Sequence, residues 1–418
     1  MDRKALVSDL VAAMSEFEII DSHEHLGPEQ WRTGSSVDVF TLFSVYTHRD
    51  LLLAGMSQAE YELLHDRNVP LGRRWALFKP YWQRIRWGSY TRCALLAAKE
   101  FYGFADITDE TYAPLSEAMQ AANTPGIYER VLRRACRIRT ALTQVGVTKL
   151  GTPLLTPLVS MPFQFSLIKH YEMLRTWGEV ARPPFPCDLE VRCLDDYLEA
   201  FRRYLAQARA DGAVGLKMAA NPYGAPDREA AEDAFRKLRD GVMSELPVAN
   251  ALRDYVVDRM VSLATEQGMV VAVHSGYWGD FRNVSPEHMI PIVQRHPDAR
   301  FDLYHLGYPY TREALMLAKG FANVWLNFCW VHAISPRCAT AMLDEAVDLL
   351  PSNKVLAFGG DYGHAVEKVY GHLVIARENV ARVLAGRILE GQFDKPEAVE
   401  LAHKWFFDNP VALYRLSV

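Results

Sequence analysis

The chain has 418 residues, half of them apolar and 23% charged, a composition that excludes disordered and fibrous classes and leaves room for a sizeable core. Lys and Arg number 46 against 51 Asp and Glu, for a net charge of −5, so no overall field draws the molecule to nucleic acid or an anionic membrane. At this length, two domains or one large α/β barrel are the starting alternatives.

The first residues, Met1-Asp2-Arg3-Lys4, lead into an amphipathic helix rather than the unbroken apolar run of a signal peptide, and no later stretch reaches about 18 apolar residues. The six cysteines show no C-x-x-C and no regular spacing, which predicts reduced thiols in a cytoplasmic protein without a membrane partner. Glu16–Ser22 reads as a first strand, and Ile138–Thr143 and Leu154–Met161 as two more. From Ala213 onward the signal is clearer. Short β-branched runs at 213–218, 269–274, 300–305, 323–328 and 354–359 alternate with helical patterns at roughly 248–267, 286–296, 311–319 and 335–350, and a last helix starts near 364.

Strand alternating with helix is the pattern of a parallel sheet covered on both faces, and eight such strands predict a (β/α)8 TIM-type barrel. About 110 residues separate the first strand from the second, far beyond an ordinary connection. A large helical insertion over 27–135 is therefore predicted within a single barrel spanning 1–418. Inside it, Trp75, Phe78, Trp82 and Ile85 fall at helical spacing among cations, the pattern of a buried face, with an anion-binding wall over the barrel mouth as the alternative.

The sharpest chemical signal is Asp21-Ser22-His23-Glu24-His25. On an extended strand, residues two apart point the same way, so His23 and His25 aim two imidazoles at one point, a pairing suited to a divalent metal. The other polar strand ends fall into line with it. His274 closes the run 269–273, His305 closes 300–304, Asp361 follows Phe358-Gly359-Gly360, and Lys217 lies within 213–218. In a (β/α)8 barrel the C-terminal strand ends converge on one face, so these residues are predicted to meet.

That combination resembles the amidohydrolase superfamily, whose signature places H-x-H on the first strand, His on the fifth, His on the sixth and Asp on the eighth. The contexts His274-Ser275-Gly276, Tyr304-His305-Leu306-Gly307 and Asp408-Asn409-Pro410 are most similar to the branch that holds uronate isomerases and amidohydrolase-2-type hydrolases and decarboxylases. The resemblance implies one divalent ion, zinc or else manganese, held by His23, His25, His274 and Asp361. It makes Asp361 the proton shuttle and His305 a second catalytic group. Lys217 has three readings: a partner for a barrel carboxylate, a carboxylated bridge to a second metal, or a substrate contact.

Trp278, Tyr308 and Trp330 are the predicted substrate contacts with Lys217, each close after a strand end; Tyr277, Tyr310 and His332 are weaker candidates of the same kind. No dinucleotide, P-loop, serine-hydrolase or zincin motif is found. The function expected is metal-dependent hydrolysis of a C–N or C–O bond in a small polar substrate. The alternative is a uronate-isomerase-like or decarboxylase reaction on a carboxylated substrate, which an insertion arginine such as Arg84 or Arg92 aimed at the metal would favour. Oligomeric state stays open, a homo-oligomer included.

Overall fold

A computed structural model describes residues 2–162, 175–247, 249–276 and 280–418. Eight strands form one sheet in strict chain order: β1 (Ile19–Glu24), β2 (Ile138–Thr143), β3 (Leu155–Ser160), β4 (Gly215–Ala219), β5 (Val270–His274), β6 (Phe301–Tyr304), β7 (Val324–Asn327) and β8 (Val355–Leu356). All neighbours pair in parallel. The chain beyond β8 then closes the circle on β1, with Ser22 N donating to Phe358 O (3.1 Å), Asp361 N to His23 O (2.8 Å) and His25 N to Tyr362 O (2.9 Å).

Burial on both faces explains the near-continuous apolar strands. Val271, Val273, Leu303 and Leu326 pack outward against the helices, while Ile20, Leu142, Leu158, Val270, Ala272 and Leu356 fill the interior. Leu413 and Tyr414, from the helix Asn409–Tyr414, plug that interior from below. The plug needs Gly215: a Cβ there would lie 2.8 Å from Val270 O and 3.4 Å from the Tyr414 ring.

The first strand begins three residues later than its pattern predicts, because Glu16 caps the helix Arg3–Ser15 by donating its N–H to Ala13 O. Strand geometry therefore runs through His23 to Glu24, and His25 is the first residue beyond it. The predicted helix 286–296 is a short turn, Pro286–Met289, leading into Ile290–Arg295. Between β1 and β2 every regular element is helical, from Glu29–Thr33 to Glu129–Ala135. Trp75, Phe78, Trp82 and Ile85 are the buried stripe of the helix Leu71–Ile85, packed with Phe40, Phe43, Leu51 and Leu115. These helices dock on the long helix Glu367–Leu389 through a buried Arg32–Glu367 pair (2.7 Å), the Tyr102 hydroxyl on Glu367 (2.6 Å) and Arg92 on Glu378 (2.7 Å). No helix among the described residues is long and apolar enough to cross a membrane.

Candidate metal centre

β1 brings His23 and His25 to the C-terminal rim, His23 buried and His25 open to solvent. Asp361 reaches them from beyond β8 because Gly359 and Gly360 let that segment press against β1: a Cβ on Gly360 would lie 1.9 Å from Glu24 Oε1. Asp361 itself has φ 62°, a left-handed conformation that costs energy for a residue with a Cβ. Two bonds hold it there, its N–H to His23 O and the Tyr46 hydroxyl donating to its carbonyl (2.6 Å).

The result is a convergence of three ligand atoms. Asp361 Oδ1 lies 3.2 Å from His23 Nε2 and 3.2 Å from His25 Nε2. Tetrahedral bonds of about 2.0–2.2 Å separate ligand atoms by roughly 3.3–3.6 Å, so the observed spacing fits a cation between them. Protonation states fit too. His25 Nδ1 donates to Gln144 O (2.8 Å), which leaves Nε2 as the lone-pair nitrogen. Burial, with Lys217 beside it, pushes His23 well down into its neutral form. Burial opposes ionisation of Asp361, but the facing His23 and His25 outweigh it and hold its carboxyl well below the usual range.

His274, the fourth predicted ligand, is not in this triad. Its Nδ1 lies 3.1 Å from His305 Nε2. His305 Nδ1 donates to Cys329 O (3.3 Å), so its Nε2 accepts and His274 Nδ1 is the donor. Burial lowers both imidazoles, His274 to about 3, and keeps them neutral. His305 Nδ1 is also 3.9 Å from Asp361 Oδ2, which places the pair beside the triad.

Lys217 points at the same place. Its Nζ is 3.3 Å from His23 Nε2 and 3.7 Å above the Tyr304 ring, and burial lowers it to about 8. Among the described residues it makes no salt bridge with a barrel carboxylate, contrary to the first of its three readings. Tyr308 is half-buried after the turn that follows β6. Trp330 is buried rather than open to a mouth, its ring 5.4 Å from His305 and 4.3 Å from Tyr46. His332 is a core residue, donating from Nε2 to Ala357 O (2.9 Å) and accepting from Asn379 at Nδ1 (3.1 Å). Tyr310 donates to Phe281 O (3.3 Å), while Tyr277 and Trp278 lie outside the described residues. Arg84 donates to Ala54 O and Arg92 pairs with Glu378, so neither is aimed at the triad.

Two features escaped the motif reading. Asp21 and Glu24, inside the H-x-H segment, form a buried carboxyl pair that accepts from Gly360 N (3.0 Å) and Tyr362 N (2.6 Å). Burial raises Asp21 to about 6, and burial with Asp21 alongside raises Glu24 well above the usual carboxyl range, while the pair clamps the Asp361 segment to β1. The D-x-x-E spacing around the histidines was the available signal. Tyr46 had none, because only the packing of the helical residues over the barrel brings it to Asp361. It follows Val45, a β-branched residue with φ 65°.

Comparison with known proteins follows this geometry. In sequence, a stretch covering 40% of this chain is 26% identical over 175 residues to Protein fluG of Emericella nidulans, and the match spans about a fifth of that protein's length. In structure, the glucuronate isomerase of Caulobacter crescentus superposes with a TM-score of 0.78 at 18% identity, covering 100% of this chain and 95% of its own. The uronate isomerase of Thermotoga maritima gives 0.79 at 15% identity, covering 98% and 97%. Likeness at these identities establishes a common fold. A family profile described as Amidohydrolase matches residues 181–416, which hold His274, His305 and Asp361, and with more than half of its length inside that match the chain belongs to the amidohydrolase family.

Proposed function

We propose that this barrel, with residues 27–135 as a helical wall over its rim, is a divalent-metal hydrolase that cleaves a C–N or C–O bond in a small polar substrate. The observation that carries the reading is the approach of His23 Nε2, His25 Nε2 and Asp361 Oδ1 to a common point. Two imidazoles and a carboxylate suit zinc, with manganese the alternative. A divalent ion held there supplies Lewis-acid polarisation and makes water acidic near neutral pH.

Asp361 is ionised, and with Oδ1 turned to the histidines its Oδ2 is the atom that takes a proton from the attacking water and passes it to the leaving group. His305 is buried beneath the more exposed His274, so its action on substrate passes through that ring. On this reading Tyr308 contacts the substrate, as does Lys217. Its ammonium already stands against His23, which supports one metal per chain rather than two. Elemental analysis after loading with excess metal and bicarbonate should give one tightly held ion; two, both lost in Lys217→Ala, would reverse the assignment and make His305 a ligand.

The engagement of Arg84 and Arg92 elsewhere favours this reading over a carboxylated substrate. Isomerisation of a uronate is the second reading, favoured by the full-length likeness to two solved uronate isomerases. Metal-loaded enzyme incubated with small lactones, amides and uronates in ¹⁸O-water separates the two. Hydrolysis places ¹⁸O in the new acid. Conversion of a uronate from aldehyde to ketone, with no hydrolysis of any amide or lactone, would overturn the hydrolase reading.

A further inference from the structure

A second groove lies away from the metal centre. It has a volume of about 760 Å³ and lies at the opposite, N-terminal ends of β2, β3 and β4, where Thr140, Thr156 and Val214 meet the helix Glu129–Ala135 and residues 415–418. Most strands of the barrel are followed by a helix that returns along its flank. The connection from β2 to β3, residues 144–154, forms none, and this side of the barrel stays open.

An uncovered barrel flank would be expected to carry mixed charge. Among the charged side chains of this one, four arginines stand against two glutamates. Arg133, Arg139, Arg209 and Arg415 all line it, and they come from four separate segments. Arg133 is neutralised by Glu18 (2.7 Å), but no ion pair joins Arg139, Arg209 or Arg415 to any carboxylate among the described residues. The two acidic residues of the lining are already engaged, Glu29 by the N–H groups of Gly126 (3.0 Å) and Tyr128 (2.8 Å), and Glu129 by Arg134 (3.6 Å). Arg209 is oriented by its bond to Ala213 O (3.0 Å). A fifth guanidinium, Arg300, is tied to Leu413 O and Gly268 O just behind; burial lowers it, and Arg415 and Arg209 lower it further by repulsion. Thr140 and Thr156 add a hydroxyl pair 2.8 Å apart.

Arg139 and Arg415 are exposed, so their guanidiniums are open to an incoming anion, and in a chain of net charge −5 the arginines had carboxylates to pair with elsewhere. We infer that this groove is a second ligand site, distinct from the metal centre, for a small molecule bearing two anionic groups, phosphate or carboxylate. Two groups are needed because the unpaired arginines stand on separate segments, more than one anion reaches bidentately. The volume suits a small molecule, and with Tyr128 the only aromatic in the lining there is no stacking platform for nucleic acid.

The test is calorimetric titration of the metal-loaded full chain with fructose 1,6-bisphosphate, with inorganic phosphate as the single-anion control, both at matched ionic strength. We expect saturable one-to-one binding of the bisphosphate, at least about ten-fold tighter than phosphate, as a second charge-assisted contact provides. Arg139→Gln/Arg415→Gln should weaken it at least ten-fold, with circular dichroism and turnover at the metal centre unchanged. His23→Ala/His25→Ala should bind like the parent. Binding no tighter than phosphate would mean an adventitious ion only and overturn the inference. So would binding that survives the double arginine variant, that disappears with the histidines, or that is seen only with an acidic peptide or an oligonucleotide.

Discussion

Inside the barrel two buried polar clusters lie one above the other, and they use their hydrogen-bonding atoms differently. In the floor, Tyr414 donates to Asp302 Oδ2 (2.7 Å), Asn327 donates to the same oxygen (2.9 Å), and the Tyr304 hydroxyl lies 3.0 Å from both Ser22 O and the Tyr414 hydroxyl. These bonds tie the groups to one another, with only Asp302 Oδ1 of that carboxyl left without a partner among the described residues, as suits polar groups whose work is to hold a core together. At the rim, two imidazole nitrogens each lie 3.2 Å from one carboxylate oxygen, all three within 4.8 Å of one another beside the Lys217 ammonium, and His23 Nδ1 has no partner among the described residues. Lone pairs that face a common point make a ligand set, whereas lone pairs already matched to donors make a strut. Burial alone does not separate the two clusters, since His23 and Asp361 are as enclosed as the floor, although His25 opens to solvent.

If that contrast is right, removing rim groups abolishes chemistry and removing floor groups changes stability. The largest effect belongs to His23→Ala/His25→Ala, which should lose its metal and its turnover while its circular dichroism spectrum stays nearly unchanged; full metal occupancy measured in that variant would sink the ligand assignment. Asp361→Asn keeps the size of the side chain but not the base, and kcat should fall by about 10²-fold or more with a smaller change in KM. A parent-like kcat would remove Asp361 from the proton transfer. Tyr46→Phe takes away only the hydroxyl on the Asp361 carbonyl, so kcat should drop by roughly ten-fold, about the worth of one hydrogen bond, with metal content intact. Loss of metal instead would make Tyr46 part of the binding set-up.

The floor gives the smallest effects. Tyr414→Phe should cost about 1 kcal/mol in urea unfolding and leave turnover alone. Asp302 adds a pH test. Burial raises its carboxyl to about 7, despite the bonds from Tyr414 and Asn327. The folded chain therefore holds a proton there that the unfolded chain has released above its ordinary value of 3.8. Stability from this group is complete below pH 3.8, falls as pH rises toward 7, and levels off beyond. Asp302→Asn should flatten that slope, visible as a smaller Tm difference between pH 5 and pH 7.5; an unchanged slope would assign the dependence to other groups.

The two clusters were unequally visible in the amino-acid sequence. Rim residues sit at the ends of apolar runs, so strand periodicity and the C-terminal convergence of a barrel bring His23, His25, His305 and Asp361 together on paper. The floor is hidden in such runs: Asp302 reads as an interruption between Phe301 and Leu303, and its partner Tyr414 lies more than a hundred residues away, in a segment that resembles the family but offers no sign of a contact with Asp302. His332 looked like a rim residue by the same strand-end rule. Its ring turns inward instead to Ala357 and Asn379, because a strand-end rule gives position along the barrel axis but no side-chain direction.

Sequence by itself determined the barrel and the family it belongs to, since these follow from period-two and helical patterning and from which residue types end the strands. Tertiary structure alone decided which histidines share a carboxylate. His274 and His305 bond to each other, and His23 and His25 face Asp361, because Gly359 and Gly360 admit the last segment against β1 and the Asp21–Glu24 pair clamps it there. The physical reason is one of scale: periodicity specifies an element to within a residue or two, whereas a ligand set is decided by contacts of about 3 Å between segments more than three hundred residues apart.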